Sequence, residues 1–248
     1  MPGKSEAHYE RLAERYDENW EHSPEFIAWM TRQIVERLRP EQGDRVADVG
    51  CGTGLFARGL AERAGRVVCI DPSAKMLEQV PAGLPHTSIT ASAEDVAAGR
   101  VQLPVDRFDA ILVKEAIHHV RDRGAVLRGL GGLLAPGGRI LIVMLPTTIE
   151  YPLFSDALHL FEELQPDPAR ISDGLERARL TVHLTYESFP LSFAREHYLQ
   201  MVHNRYMSLL SEFDDAELGR GIEEIKKQHP GERLEFHDRF AFVLGRRA

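Results

Sequence analysis

From Asp48 to Gly54 the chain reads Asp-Val-Gly-Cys-Gly-Thr-Gly: a short apolar run ends in an acid and passes at once into three glycines at alternate positions. Glycines so spaced let the backbone turn sharply out of a strand and lie against a ligand with no side chain in the way. A dinucleotide fingerprint also places glycines after a strand, but as G-x-G-x-x-G and without an acid two residues ahead of the first. The surroundings of the loop set the class of fold. Across 43–145, β-rich runs at 45–49, 67–70, 88–91, 108–113 and 139–145 alternate with helical segments. Strand, helix, strand in repetition predicts an α/β fold, a parallel sheet with helices on both faces. The runs are apolar almost throughout, as strands covered on both sides are.

On either side of this region the pattern changes. Up to about residue 39 the spacing predicts two helices, one with Tyr9, Leu12, Ala13, Tyr16 and Trp20 on a common stripe and one with Phe26, Trp29, Met30, Ile34 and Leu38. Ser23 and Pro24 supply a cap and a first-turn proline for the second. After Pro146 the alternation stops, and the spacing predicts a helix over 151–164, a strand over 180–189, helices at about 194–213 and 215–229, and a last strand over 234–244. Of the 11 Phe, 6 Tyr and 2 Trp, only Phe56 and Phe108 lie between Gly43 and Leu145. An aliphatic core is therefore flanked by aromatic segments, which serve either as the wall of an organic substrate's pocket or as a core of their own.

Composition narrows the function. With 248 residues, 43% of them hydrophobic, the chain can bury one good core, or a core and a small cap. A net charge of −8 disfavours nucleic acid or an anionic membrane as the main partner, since both call for a basic face. Glu6, Glu10 and Glu14 stand where a signal peptide needs an apolar run, and no stretch approaches the ~20 apolar residues of a membrane span. A cytoplasmic protein is expected. Cys51 and Cys69 lack metal-ligand spacing and read as small buried residues of a reduced compartment. No metal site is expected either, because the adjacent Asp214 and Asp215 begin a helix and are explained as its capping acids.

The segment from Asp48 to Gly54 resembles motif I of the class I S-adenosylmethionine-dependent methyltransferases, and the layout along the chain is similar to theirs. The resemblance implies a Rossmann-like, mostly parallel seven-stranded sheet whose last strand runs antiparallel. It also implies an N-terminal helical lid over 1–40, a cofactor-binding domain over 41–248, and a helical cap insertion at 190–230 between the last two strands. S-adenosylmethionine is the implied cofactor and S-adenosylhomocysteine its product. Gly50, Gly52 and Gly54 would bring backbone to the methionine and ribose parts, and Asp48 would bond the cofactor's amino end or the loop itself. Asp71, 17 positions after Gly54, stands where the family needs an acid for the ribose hydroxyls. Pro72 and Met76 would line the adenine, with core filling the alternative for Met76. Ser92, Ala93 and Glu94 correspond to the adenine-contacting segment; many members carry an aspartate where Ser92 stands, so the amide of Ala93 and the side chains of Ser92 or Glu94 take its place. Lys114 closes the fourth strand as a neighbour of the cofactor.

Candidate catalytic groups follow from position and chemistry. His118 and His119 can take a proton from an acceptor hydroxyl or amine as general base, or one ring can cap a helix. The segment from Tyr9 to Trp20 resembles the lead helix that folds over the cofactor in many small-molecule methyltransferases; there Tyr16 would reach the methionine end and Tyr9 the acceptor. Tyr151, Phe154, Arg205 and Tyr206, with His119, are the remaining candidate acceptor contacts, the arginine either gripping a carboxylate or phosphate or pairing with Asp238 or Glu235. Where amino-methylating enzymes of nucleic acids and of glutamine carry an Asn/Asp-Pro-Pro-Tyr type of segment, this chain has Lys-Glu-Ala-Ile from Lys114.

The resulting expectation is a methyltransferase acting by in-line displacement on a small organic acceptor of specialised metabolism, as a monomer or homodimer. Two alternatives stand beside it. One is an enzyme of the same fold that cyclises the cofactor's aminobutyryl chain or assists ring formation; the other is a vestigial binding module, against which Asp48, the three glycines and Asp71 count.

Overall fold

A computed structural model describes residues 23–248. The first predicted helix, with Tyr9, Tyr16 and Trp20, lies outside the described residues. The elements run α1 (Pro24–Leu38), β1 (Val46–Val49), α2 (Ala57–Ala64), β2 (Val67–Asp71), α3 (Ala74–Leu77), β3 (His86–Thr90), α4 (Ala93–Ala97), β4 (Phe108–Lys114), a 3-10 turn (Ile117–His119), α5 (Arg123–Gly132) and β5 (Leu134–Met144). They continue as α6 (Ser155–Leu164), α7 (Pro168–Arg177), β6 (Thr181–Ala194), α8 (Arg195–His203), a second 3-10 turn (Ser208–Glu212), α9 (Asp215–Gln228) and β7 (Arg233–Arg246). The expected seven-stranded sheet forms in the order β3-β2-β1-β4-β5-β7-β6. The β3–β2, β2–β1, β1–β4 and β4–β5 pairs are parallel, and β5–β7 is antiparallel. The order reverses direction between β1 and β4, the place where open α/β sheets bind ligands beyond their carboxyl ends.

The chain divides into two compact units. The larger takes in Pro24–Met144, Pro166–Tyr186 and Ala241–Ala248, the smaller Leu145–Gln165 and Glu187–Phe240 among the described residues. In the larger, Ala47, Val49, Ile70, Ile111, Val113, Ile142 and Val243 from the strands join Leu127, Leu130, Ile171 and Leu175 from α5 and α7 in one buried cluster. α1 docks through Phe26, Met30, Ile34 and Leu38, four residues apart and thus on one stripe of the helix. In the smaller unit the ring of Phe236 is met by Tyr151, Phe193 and Tyr198 at centroid distances of 5.3, 6.0 and 5.6 Å. Phe154 packs edge-on to Phe213 and lies so close to Gly221 that a Cβ there would stand 2.4 Å from its ring.

Several boundaries differ from the sequence reading, each for a local reason. β5 starts at Leu134, ahead of the run expected at 139–145, and its register jumps between Phe108↔Leu134 and Ala110↔Arg139, so Pro136 and Gly137 bulge out of the strand. The helix expected over 151–164 begins only at Ser155. α7 was not anticipated, although Asp167 caps it through the Ala169 amide and Pro168 opens it. The helix expected over 194–213 stops at His203. Arg205 takes a left-handed φ of 55°, its amide bonds the Val202 carbonyl, and the Tyr206 amide reaches back to Met201, the pair of bonds that ends a helix in a Schellman motif. β6 runs on through Pro190 to Ala194, which an edge strand tolerates because one row of its amides has no ladder partner. β3, at the other edge, is half-exposed rather than covered on both sides. Asp214 does cap α9, in a reciprocal capping box with Glu217.

Candidate active site

At the carboxyl edge of the sheet, four loops of the larger unit are tied together. The amides of Gly50 and Cys51 both donate to the Ile70 carbonyl, at 2.7 and 3.1 Å, which folds the glycine loop back over the end of β2. Asp71 completes the join: one carboxylate oxygen accepts the Gly52 amide and the other the Ser73 amide, each at 2.9 Å. Gly50, Gly52 and Gly54 have φ values of 76°, 55° and 76°, a region that favours glycine. A Cβ on Gly50 would stand 2.3 Å from the Cβ of Ala116, so the loop after β4 sits directly on the glycine loop. A Cβ on Gly52 would meet nothing within 4 Å, which leaves this stretch of backbone open to a ligand. Glu94, after β3, accepts the Arg121 amide at 3.2 Å and joins the third loop to the fourth.

Charge is concentrated where these loops meet. Asp48 is 3% exposed; burial, with the Asp71 carboxylate beside it, raises its pKa to about 7 against the opposing pull of Lys114. Burial also raises the pKa of Asp71, partly offset by the Ser73 and Gly52 amides. The Lys114 ammonium lies 4.8 Å from the centre of the Phe56 ring, within cation–π range. Glu115 follows in a left-handed conformation at φ 50°, strained for a residue with a side chain. Of the adenine candidates, Met76 is buried, Pro72 is exposed, and Ala93 is half-buried against the core cluster. Ser92 caps α4: its hydroxyl accepts the Asp95 amide and donates to the Asp95 carboxylate at 2.7 Å.

The histidines differ from one another. His119 is exposed and His118 half-buried, their ring centroids 4.0 Å apart. Burial holds the His118 pKa well below the ordinary imidazole value, and the neighbouring His119, Arg123 and Lys114 push it the same way. Arg123 clamps this turn from beneath, donating to the carbonyls of Ile117 and His118 at 3.3 and 3.1 Å. The remaining acceptor candidates belong to the smaller unit and are engaged within it. The buried Tyr151 hydroxyl donates to the buried Asp238 carboxylate at 2.7 Å, and the hydroxyls of Tyr206 and Tyr198 share a bond of 2.8 Å. Arg205 donates to the Phe213 carbonyl at 3.2 Å and to the Asp215 carboxylate at 2.8 Å, not to Asp238 or Glu235.

Residues 47–142 match the family model described as a methyltransferase domain. Over this stretch, about two fifths of its length, the chain is similar to a methyltransferase domain. An uncharacterized methyltransferase of Mycobacterium tuberculosis is 33% identical over 114 residues, 46% of this chain and 57% of that protein. The ubiquinone biosynthesis O-methyltransferase of Methylocella silvestris is 31% identical over 112 residues, 45% of this chain and 44% of that one. The chain thus spans about half the length of the curated relatives it matches. A crystal structure of a protein from an antibiotic biosynthesis pathway of Anabaena variabilis superposes with a TM-score of 0.64 at 18% identity, over 87% of this chain and 96% of that one. The [4+2]-cyclase SpnF superposes with a TM-score of 0.58 at 16% identity, over 88% and 79%. At these identities the likeness is one of fold.

The cofactor that this similarity implies is S-adenosylmethionine, and the residues present fit it. Two adjacent carboxylates with raised pKa values suit a ligand that brings an ammonium group and vicinal hydroxyls, and the open backbone at Gly52 leaves room for it. Among the described residues no group of three or more His, Cys, Asp or Glu could hold a metal ion, and no helix is long and apolar enough to cross a membrane. Sequence reading missed the contacts that position the loops of this site: Ala116 against Gly50, Val80 against Gly54, Arg123 under the histidine turn, and Phe56 beneath Lys114. None has a motif of its own. Both cysteines are free thiols, Cys69 buried as expected and Cys51 half-buried; a hydrogen bond with Cys69, then burial, pushes the Cys51 pKa up and keeps it protonated.

Proposed function

We propose that this protein transfers the methyl group of S-adenosylmethionine to a small organic acceptor. The observation that carries the reading is the pairing of Asp71 with the Gly52 amide beside an unobstructed glycine loop, inside a segment that matches a methyltransferase domain. In this reading Asp71 holds the ribose hydroxyls and Asp48 the amino end. Gly50, Gly52 and Gly54 line the ligand with backbone, Met76, Pro72 and Ala93 flank the adenine, and Glu94 and Ser92 hold the loop that carries Ala93. The cofactor supplies an activated methyl group, so the protein's part is to align a nucleophile and to exclude water, work that is worth several orders of magnitude in rate without a strong base. His119, exposed at the end of the 3-10 turn that follows β4, is the proton acceptor of the pair. The aromatic-bearing segments that flank 43–145, among them those at 1–40 and 190–230, select the acceptor, with Tyr9, Tyr16, Tyr151, Phe154, Arg205 and Tyr206 as their contributions.

The supporting comparisons name methyltransferases acting on other molecules, and a superposing cyclase shows that the fold alone admits ring formation. One experiment separates these readings. The protein is incubated with S-adenosylmethionine labelled in its methyl group and a panel of phenols, carboxylic acids and amines, and both product label and released S-adenosylhomocysteine are followed. Label appearing in an acceptor, matched by S-adenosylhomocysteine, supports methyl transfer. Tight binding of S-adenosylmethionine with no release from any acceptor favours the cyclase reading.

A further inference from the structure

His118 is held in an unusual way. Its Nδ1 is sealed from solvent and meets no hydrogen-bond partner, and it is the one buried side-chain nitrogen or oxygen among the described residues of which this is true. An imidazole has two tautomers, and they are not equal here. If Nδ1 carried the hydrogen, a buried N–H would be orphaned, a state folded proteins rarely accept; if it carries the lone pair, an acceptor is under-satisfied, which they tolerate more readily. Sealed geometry therefore assigns the hydrogen to Nε2, the only ring nitrogen left to meet a ligand.

We infer that His118 serves this site as an Nε2–H donor that holds an anionic oxygen of the acceptor, and that it is not the base. The inference rests on the proposed methyl transfer for what is held, whereas the tautomer stands independently of that reading. The neighbourhood agrees with an anionic oxygen. Lys114 closes the preceding strand, Arg123 lies under the turn with its guanidinium on the His118 carbonyl at 3.1 Å, and the His119 ring faces His118 at 4.0 Å. Of the acids at this edge of the sheet, Glu94 accepts the Arg121 amide, Asp71 accepts those of Gly52 and Ser73, and the buried Asp48 lies close enough to Lys114 to feel its charge. A donor beside Lys114 and Arg123 favours a carboxylate or phenolate acceptor over an amine, because an ammonium would meet like charge.

The test is nuclear magnetic resonance of protein labelled with nitrogen-15 at histidine, with His118 assigned by the signals lost in His118→Gln. The expected result is an Nε2–H, Nδ1-bare ring that stays so from pH 8 to pH 6; an Nδ1–H tautomer, or a doubly protonated ring within that range, overturns the inference. With S-adenosylhomocysteine present, benzoate is then titrated into wild type, His118→Gln and His118→Leu, with aniline as the amine control. Benzoate affinity should fall roughly tenfold or more in His118→Leu and stay within about threefold in His118→Gln, whose amide keeps an N–H. Equal losses in both variants, no benzoate binding, or a preference for aniline would refute the donor role. Titration of S-adenosylhomocysteine alone tells the two readings apart, since its failure removes the methyltransferase reading and leaves the tautomer measurement intact.

Discussion

In the larger unit the groups that converge at the sheet edge are held by main chain: Gly50 and Cys51 on the Ile70 carbonyl, Gly52 on Asp71, Arg121 on Glu94. The smaller unit is held by side chains far apart in sequence. Tyr151 reaches Asp238 across 87 positions, Phe154 rests on Gly221, and Phe193 faces Phe236. A main-chain site tolerates change wherever the required backbone shape survives, so its few fixed positions are glycines and the acids that bind amides. A side-chain site has no such anchor. Its identity can be rewritten by substituting rings, which suits a region assigned to choosing an acceptor.

The contrast can be broken most forcefully at Asp71. Asp71→Ala leaves the Gly52 and Ser73 amides without their acceptor. With charge-assisted bonds worth about 1.5–3 kcal/mol each, S-adenosylhomocysteine affinity should fall by about 100-fold or more; calorimetric titration measures it, and retained affinity would remove Asp71 from the site. Next come two glycines of one loop. Gly50→Ala forces a Cβ to 2.3 Å from Ala116 at a left-handed φ and should lower stability by about 2–3 kcal/mol in urea denaturation. Gly52→Ala meets open space, so it should lower stability by only about 1 kcal/mol while weakening S-adenosylhomocysteine binding. Equal stability losses would mean that the contact with Ala116 does not hold the loop.

For the smaller unit, Tyr151→Phe removes a donor from the buried Asp238 and should lower stability by about 1–3 kcal/mol. Its S-adenosylhomocysteine affinity should stay within twofold of wild type; a larger loss would show that the two units do not divide the work as proposed.

Asp48 offers a gentler probe through pH. Its folded pKa, about 7, lies above its unfolded value, so the folded chain binds the extra proton between the two. The stability this group contributes is full below pH 4 and is lost as pH rises toward 7. A cationic ligand end favours the ionised form and expels that proton. Affinity for S-adenosylmethionine should therefore rise with pH, by up to about tenfold per unit, and level off above pH 7. Titration in two buffers of different ionisation enthalpy would reveal the proton release at pH 6; a flat profile would mean that Asp48 does not face the amino end. The smallest effect is expected at Arg205. Arg205→Gly relieves a left-handed backbone but gives up an ion pair with an exposed acid, and the two should cancel to within about 0.5 kcal/mol.

The same division explains what the sequence made legible. Asp48, the three glycines and Asp71 are spaced by the geometry of one strand, loop, helix and strand, so the elements that carry them were readable in order. Ser92 was readable as a position but not as a cap, because Asp95, three residues on, decides where its hydroxyl goes. The end of α8 was hidden since a left-handed arginine carries no glycine signal, and α7 was overlooked although Asp167 and Pro168 mark its start. Asp238 was visible as one of four polar residues on an alternating strand. Its inward turn follows the same alternation as Leu234, Phe236 and Phe240, but no local pattern encodes Tyr151, its partner 87 positions away.

The antiparallel closure of the sheet has a consequence for how the chain is made. β5 pairs with β7 from Arg139↔Arg246 to Met144↔Ala241, with the whole of the smaller unit's described sequence and α7 lying between the two strands in order of synthesis. While that stretch is emerging from the ribosome, the apolar run Ile140–Val143, fully buried in the finished protein, has one flank with no strand beside it. An unpaired apolar edge is a template for pairing with other chains. A nascent or truncated chain ending before Ala241 should therefore depend on chaperones and accumulate in aggregates, even though every loop of the candidate cofactor site has already been made.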